Sequence, residues 1–260
     1  MKRAYLDTPH GQIHIRVAGS RGPQLVLLHE TPLSGAAFDP AITPLAQNMR
    51  VLAPDTPGYG SSDPPSQALS IPEYATRLAL AVDTLTGEEP YALYGVHTGA
   101  AIAVAWAEQC PHVTHVILSG LPAYEPEVRA DRLENWAPPM TASANGSHLT
   151  RAWEHYNRIW KEPPVAHQNR AVLDMLSVLD RYHWAYRALF EYDPLPALAG
   201  LKQPVLFLTA ERDSLAELDT VVARTHQIPQ ILLRGLSGQI PVRAPRVLAR
   251  TVFEFINSAT

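Results

Sequence analysis

The stretch Gly95–Ala100, which reads GVHTGA, decides how this chain is expected to fold. It follows a short apolar segment, Tyr91–Tyr94, and precedes a run of mostly small apolar residues at 100–109, so it joins a strand to a helix. A sharp strand-to-helix turn forces its apex residue into a strained backbone conformation, and the residues two positions away on either side must lack side chains. The two glycines meet that requirement, which puts His97 at the apex.

On both sides of this turn, short apolar segments alternate with longer helical patterns. A continuous apolar run such as Gln24–Leu28 is typical of a strand that is buried on both faces of a sheet. Such strands alternating with helices favour an α/β fold, with a mostly parallel central sheet flanked by helices. The predicted strands are Ile13–Val17, Gln24–Leu28, Val51–Ala53, Tyr91–Tyr94, His115–Ser119, Val205–Thr209 and Gln230–Leu233, and the predicted helices are Pro72–Leu85, Ala100–Gln109 and Pro245–Ile256.

The alternation stops between Pro122 and Pro204. This segment holds four of the five tryptophans and two helical patterns, Leu149–Trp160 and Gln168–Phe190. Ligands of parallel sheets bind beyond the carboxyl ends of the strands, so a helical, aromatic insertion after a strand is expected to form a lid over that end. We therefore predict a core made of residues 1–121 and 204–260 and a helical cap or lid at 122–203.

The composition excludes several classes of protein. The 260 residues are 46% hydrophobic with a net charge of −4, which allows a large core and gives no charge pattern for nucleic acid or an anionic membrane. One cysteine excludes an internal disulfide framework and a Cys-based zinc site. The apolar runs are too short to span a bilayer, and no signal-peptide pattern is present. We expect a cytoplasmic protein that acts on a small molecule; the sequence leaves its oligomeric state open.

Further motifs occur in a fixed order along the chain. His29–Pro32 (HETP) and Asp55–Asp63 (DTPGYGSSD) follow the second and third predicted strands. Asp213 follows the strand at 205–209, and Gly238–Pro241 (GQIP) precedes the last helix. Together with the turn around His97, these motifs resemble those of the α/β-hydrolase superfamily over nearly the whole chain. The resemblance implies an α/β-hydrolase fold with a helical lid inserted after the sixth strand.

The positions that carry the chemistry depart from the family pattern. His97 stands at the nucleophile elbow, where the family usually has Ser and sometimes Asp or Cys, and Gln239 stands where it usually has the catalytic His. Asp213 matches the family's acid, whereas Glu30 replaces a usual Gly. A serine nucleophile needs an adjacent imidazole to take its proton, so Ser–His–Asp acyl transfer is not available at these positions. An Asp-nucleophile route is excluded for the same reason.

The resemblance still implies an oxyanion hole, because that feature is made of backbone; its N–H groups would come from Thr31 and Thr98. We predict catalytic roles for His97, Asp213 and Gln239. His97 could activate a water as general base, abstract a proton from carbon or hydroxyl, or attack a carbonyl directly. A partner for its other ring nitrogen would be Asp213, directly or through Gln239, or Glu30.

Substrate contacts are predicted for His29, Glu30, Tyr124, Trp136, Trp153 and Trp184. We expect no cofactor and no metal, because the histidine and glutamate spacings match no helical metal motif. The sequence supports an atypical hydrolase-like enzyme for a small carbonyl compound, performing ester or lactone hydrolysis or a related lyase or isomerase step. The alternative is a ligand-binding protein that has lost catalysis, since the usual nucleophile and base are both replaced.

Overall fold

An eight-stranded sheet forms the centre of the computed structural model, which describes residues 1–87 and 89–258. Its strands are β1 (Lys2–Thr8), β2 (Gly11–Ala18), β3 (Gln24–Leu28), β4 (Arg50–Pro54), β5 (Tyr91–Val96), β6 (Val113–Ser119), β7 (Val205–Ala210) and β8 (Gln230–Leu233). They lie in the order β1-β2-β4-β3-β5-β6-β7-β8. Only the pairings of β2 with β1 and β4 are antiparallel, so the prediction of a mostly parallel sheet is confirmed.

Helices cover both faces of the sheet. Those of the core are α1 (Asp39–Leu45), α2 (Ile71–Thr86), α3 (Thr98–Gln109), α9 (Ala216–Thr225), α10 (Ile240–Arg243) and α11 (Pro245–Asn257). Successive residues of β3 enter opposite sides of the core: Val26 and Leu28 join the cluster that includes α2 and α3, and Leu25 and Leu27 join the cluster that includes α1 and α11. The strand is buried on both sides, which explains its continuous apolar run.

Five helices occupy the segment between β6 and β7. They are α4 (Pro126–Asn135), α5 (Ser147–Ile159), α6 (Val165–Ser177), α7 (Trp184–Glu191) and α8 (Leu195–Gly200). The helical insertion after the sixth strand is therefore present, whereas its division from the core at residues 122 and 203 stays a prediction. In the ranges that the structure describes, no helix has the length and apolar character needed to cross a membrane.

The long helical pattern at Gln168–Phe190 is interrupted, which the sequence did not predict. Helices α6 and α7 are separated by a turn whose backbone bonds to the core. The buried Tyr59 hydroxyl contacts the Arg181 carbonyl at 3.3 Å and accepts from the Ala185 N–H at 2.8 Å, and Arg181 Nε donates to the Gly58 carbonyl at 3.0 Å. The Arg181 carbonyl and the Ala185 N–H are backbone groups that a continuous helix would bond internally. Because Tyr59 bonds them instead, the helical pattern is interrupted between α6 and α7.

Candidate active site

The turn between β5 and α3 has the geometry that its glycines predict. His97 lies at its apex with φ +49° and ψ −112°, a conformation that L-residues rarely adopt, and its backbone N–H donates to the Ser119 carbonyl at 2.9 Å. A side chain at Gly99 would clash with the Leu28 carbonyl, and one at Gly95 would clash with the first turn of α3. Close backbone approach therefore requires both glycines and presents His97 beyond the carboxyl end of the sheet.

The His97 ring lies between two carboxylates. Its Nε2 is 3.0 Å from Asp213 Oδ1 and 3.2 Å from Oδ2, and its Nδ1 is 3.1 Å from Glu30 Oε2. All three side chains are less than one fifth exposed. Asp213 reaches the ring from the turn after β7, and Glu30 reaches it from the turn after β3. The direct Asp213 contact and the Glu30 contact are two of the partners that the sequence offered for His97.

This arrangement favours a protonated ring. Burial opposes a positive charge on His97, but the negative charges of Asp213 and Glu30 outweigh it and hold the pKa of His97 well above its usual value. Burial likewise disfavours the ionised Asp213 carboxylate, yet the His97 charge and hydrogen bond keep the pKa of Asp213 below its usual value. With both nitrogens protonated and facing carboxylates, the ring has no free lone pair to accept a proton.

Two backbone N–H groups beside His97 are free. Thr31 follows β3 and Thr98 begins α3, and both line the same cavity as His97. Among residues 1–87 and 89–258, neither of their N–H groups donates a hydrogen bond to another protein group. The Thr31 carbonyl accepts from the Tyr186 hydroxyl of α7 at 2.8 Å, which fixes this peptide. Two unused donors at one cavity are what an oxyanion hole needs.

Asp219, which was not predicted from the sequence, stabilises the turn after β6 that packs against His97. Its buried carboxylate accepts from the backbone N–H groups of Gly120 at 2.9 Å and Leu121 at 2.7 Å, and from the Thr209 hydroxyl at 3.0 Å. Burial raises the pKa of Asp219 to about 7. These bonds tie the turn after β6 to α9 and hold Gly120 against the His97 ring.

Replacement of Gly120 by Ala is expected to move the His97 ring and to destabilise the protein. A Cβ there would lie 2.6 Å from His97 Nε2, at a backbone φ of +69°. Gly235→Ala is the matched control, since Gly235 has φ +74° and open space around it. We expect both variants to lose about 1 kcal/mol through backbone strain and Gly120→Ala to lose a further ~1–3 kcal/mol through overpacking. Urea unfolding measures the difference; equal losses in the two variants would contradict the tight packing of His97.

Gln239 lies apart from the His97 network. It directly precedes α10 as its N-cap residue, with a left-handed backbone, and its side-chain oxygen accepts from Arg243 Nε at 3.1 Å. Arg243 in turn donates to the carbonyls of Lys161 and Glu162, which lie between α5 and α6, each at 2.8 Å. In the described part of the chain, Gln239 makes no hydrogen bond to His97 or Asp213, so the relay through Gln239 is absent from this geometry. His97 and Asp213 contact each other directly instead.

His29 has a structural environment. Its Nε2 accepts from the Thr56 backbone N–H at 3.0 Å, so the ring is neutral and its Nδ1 donates to the Glu30 carbonyl at 3.0 Å. Burial lowers the pKa of His29, which agrees with a neutral ring. The side chain therefore joins the turn after β3 to the turn after β4 and orients the backbone around Glu30, instead of contacting the cavity.

A cavity of about 380 Å³ lies beside His97 and is lined in part by residues of helices α4, α5 and α7. Of the predicted contacts, Glu30, Tyr124 and Trp136 line it together with Thr31 and Thr98, while His29, Trp153 and Trp184 are not among its lining residues. Trp153 packs against the hydrophobic core instead. The cavity is also lined by residues that were not predicted from the sequence: Arg132, Arg158, Trp160, Lys161, Tyr186 and Phe190. Their only available signal was their place in the predicted lid, because which helix face turns inward depends on tertiary packing.

Within the described residues, no group of three or more His, Cys, Asp or Glu side chains is arranged to hold a metal ion. The Glu30, His97 and Asp213 groups satisfy one another instead, and no other protein donor in the described ranges pairs with the Glu30 carboxylate. Glu30 is thus the one member of this trio that both faces the cavity and keeps acceptor capacity for a water or a substrate.

The mostly parallel eight-stranded sheet, the strained strand-to-helix turn at His97 and the acid after β7 define a protein of the α/β-hydrolase class. The profile of the alpha/beta hydrolase family matches residues 25–251, and the chain belongs to that family. The resemblance inferred from the turns is therefore confirmed.

Its relatives include named hydrolases. A pimeloyl-[acyl-carrier protein] methyl ester esterase of Xanthomonas campestris pv. campestris is 27% identical over 253 residues, 87% of this chain and 90% of that protein. An uncharacterised hydrolase of Saccharomyces cerevisiae is 28% identical over 187 residues, which span 70% of this chain but 59% of its own length. The solved enol-lactonase of Burkholderia xenovorans LB400 shares the fold with a TM-score of 0.77 and 22% identity, covering 98% of this chain and 100% of that one. The expectation of a hydrolase-type enzyme is confirmed at the level of the family.

Proposed function

We propose that this protein is a cofactor-independent hydrolase of a small ester or lactone in which Glu30, in place of an elbow nucleophile, is the reacting residue. The observation that carries the proposal is the fixed contact of Glu30 with His97, 3.1 Å apart, beside two unused backbone N–H groups in one cavity. Membership of a hydrolase family supports hydrolysis as the reaction class.

In the proposed reaction, the substrate carbonyl oxygen accepts hydrogen bonds from the N–H groups of Thr31 and Thr98. Glu30 takes a proton from a water, and the water oxygen attacks the carbonyl carbon. The negative charge that forms stays on the former carbonyl oxygen, where hydrogen bonds from the two N–H groups stabilise it, an interaction worth roughly 100- to 1,000-fold in rate per donor. Glu30 then returns the proton to the leaving oxygen as the carbon–oxygen bond breaks, releasing the acid and the alcohol.

His97 and Asp213 are positioning residues in this proposal. The three roles that the sequence left open for His97, as base on a water, as base on carbon or hydroxyl, and as nucleophile, all need an unprotonated ring nitrogen. The contacts on both nitrogens and the raised pKa of His97 argue against such a state near neutral pH. The imidazolium instead fixes one Glu30 oxygen and leaves the other for the water.

Two other functions use the same geometry. Glu30 beside an oxyanion hole could also abstract a proton from carbon, the first step of a lyase or isomerase. A ligand-binding protein without turnover is favoured by one observation, the complete pairing of His97, which a purely structural ion-pair network would share.

A turnover screen in ¹⁸O-labelled water tests the proposal and separates these functions. Short esters, lactones, β-diketones and cyanohydrins are incubated with wild type and with Glu217→Gln, an exposed substitution on α9 that serves as the control. Hydrolysis is expected to place one ¹⁸O atom in the acid product of both proteins, read by mass spectrometry. Turnover without ¹⁸O would indicate a lyase or isomerase, and ligand-induced stabilisation without turnover would indicate a binding protein.

A further inference from the structure

The part of the cavity wall formed by α4, α5 and the segment that follows α5 is positively charged, although the chain as a whole has a net negative charge. The chain has a net charge of −4, yet Arg132, Arg158 and Lys161 all line this one cavity. Glu30 and Asp213 contribute two negative charges on the opposite side, and protonated His97 offsets one of them. The surroundings of the cavity therefore hold an excess of positive charge, and no salt bridge among the described residues offsets the charges of these three cations.

Arg132 is the best placed of the three cations. Its guanidinium carbon lies 4.4 Å from the ring centroid of Tyr124 and 4.4 Å from that of Trp136, so two aromatic rings fix its orientation. In the described part of the chain it forms no salt bridge and its side chain donates no hydrogen bond, and its Nε is buried without a partner. A fixed guanidinium with unused donors inside a cavity is suited to bidentate binding of a carboxylate.

Arg158 and Lys161 extend this charge to solvent. Both side chains are exposed, and Arg158 lies 5.7 Å from the Trp136 ring and 3.4 Å from His155 Nδ1. No carboxylate among residues 1–87 and 89–258 forms a salt bridge with either of them. Free cations at a cavity mouth attract anions from solution.

Tyr124 lines the cavity and contacts Arg132. The Arg132 guanidinium carbon lies 4.4 Å from the Tyr124 ring centroid, and burial raises the pKa of the Tyr124 hydroxyl despite the opposing positive charges of Arg132 and His97. The N–H groups of Thr31 and Thr98 and the Arg132 guanidinium therefore belong to residues of one cavity, so one ligand can contact both.

We propose that the substrate of this site carries a carboxylate remote from the reacting carbonyl and that Arg132 binds it, with Arg158 and Lys161 attracting it at the mouth. This inference rests on the proposed hydrolysis, because it names the substrate class of the same site.

The test uses ketones, which occupy the oxyanion hole without being hydrolysed. Titration calorimetry compares 5-oxohexanoate with 5-oxohexanamide, and 4-acetylbenzoate with 4-acetylbenzamide. Each pair differs in one charged group. We expect wild type to bind the acid of at least one pair about tenfold more tightly than its amide, as expected for a hydrogen-bonded charged group, and the difference to shrink as salt is added.

Two variants separate the site from the general charge of the lid. Arg132→Gln is expected to abolish the preference for the acid, whereas Arg187→Gln, on an exposed part of α7, is expected to keep it. Equal affinity for acids and amides, a preference that survives Arg132→Gln, or failure of all four ketones to bind would overturn the inference.

Glu30→Gln distinguishes this inference from the proposed reaction. The acid preference should persist in Glu30→Gln, since Arg132 does not contact Glu30. If the preference persists but turnover proves independent of Glu30, the proposed function fails and the carboxylate site stands. If turnover needs Glu30 but no acid is preferred, the carboxylate site fails alone.

Discussion

Glu30→Gln is expected to lower kcat by roughly 1,000-fold for any ester or lactone that wild type hydrolyses, because general-base catalysis contributes on the order of 100- to 10,000-fold. An amide at this position keeps the shape of the side chain but has no proton affinity near neutral pH. KM should change little, since the carbonyl oxygen is bound by backbone N–H groups that the substitution leaves in place. Steady-state kinetics on the best substrate of the screen measure both constants.

Two controls make this prediction specific to the Glu30 carboxylate. Glu217→Gln removes the same charge from an exposed position and should keep kcat within about twofold. The second control is spectroscopic: loss of one of its two carboxylate partners should lower the pKa of His97 in Glu30→Gln, which NMR of the ring protons reports. A His97 pKa that falls while kcat stays near the wild-type value would show that Glu30 pairs with His97 but takes no part in turnover.

His97→Gln is expected to destabilise the folded protein by about 3 kcal/mol near neutral pH, because it removes the cation between two buried carboxylates. Glu30 and Asp213 would then face an uncharged amide that cannot offset their mutual repulsion. Chemical denaturation at several pH values measures the loss. A loss below about 1 kcal/mol at neutral pH would contradict the buried ion-pair arrangement.

The pH dependence has a definite sign. In wild type the pKa of His97 is raised on folding, so its stabilisation is fully present below the unfolded value of about 6.5 and is lost as pH rises through the folded pKa. The pKa of Asp213 is lowered, so its contribution is present above the unfolded value of about 3.8 and is lost as pH falls through the folded pKa. Wild type should therefore weaken at alkaline pH through His97.

In His97→Gln the remaining carboxylates should favour a bound proton, so the variant should become more stable as pH falls from about 6 to 5, a range in which wild type has already gained nearly all of its stabilisation from His97. The double variant Glu30→Gln/His97→Gln removes one of the two charges and should recover part of the lost stability. Identical pH profiles for wild type and His97→Gln would contradict this account.

Much of the fold could be predicted from local sequence. The strands Gln24–Leu28 and Gln230–Leu233 have the observed bounds, and the helix predicted at Pro72–Leu85 extends by only one residue at each end. Continuous apolar runs indicate the two strands, and a capping box at Ser70 marks the start of the helix. The strand Lys2–Thr8 was missed because it is mostly exposed and lacks such a run.

The site could be predicted only in part. The glycine pair fixes the conformation of His97, and position after a strand brings Asp213 and Glu30 to the same end of the sheet. What the sequence could not supply is which groups finally touch. The contacts of His97 with Glu30 and Asp213 depend on side-chain packing between segments that lie far apart in the chain, and the bond that Arg243 Nε donates to Gln239 depends on packing at the start of α10.

The pairing of His97 with Glu30 and Asp213 also constrains evolution. A mutational route to the family's usual triad would need serine at position 97, histidine at 239 and a small residue at 30. Taking the first of these steps alone leaves two buried carboxylates without a cation, and taking the second alone removes the Gln239 contact with Arg243 while His97 still fills the elbow. Each of these two steps taken alone therefore breaks existing contacts before a triad is complete, so the present arrangement resists stepwise conversion.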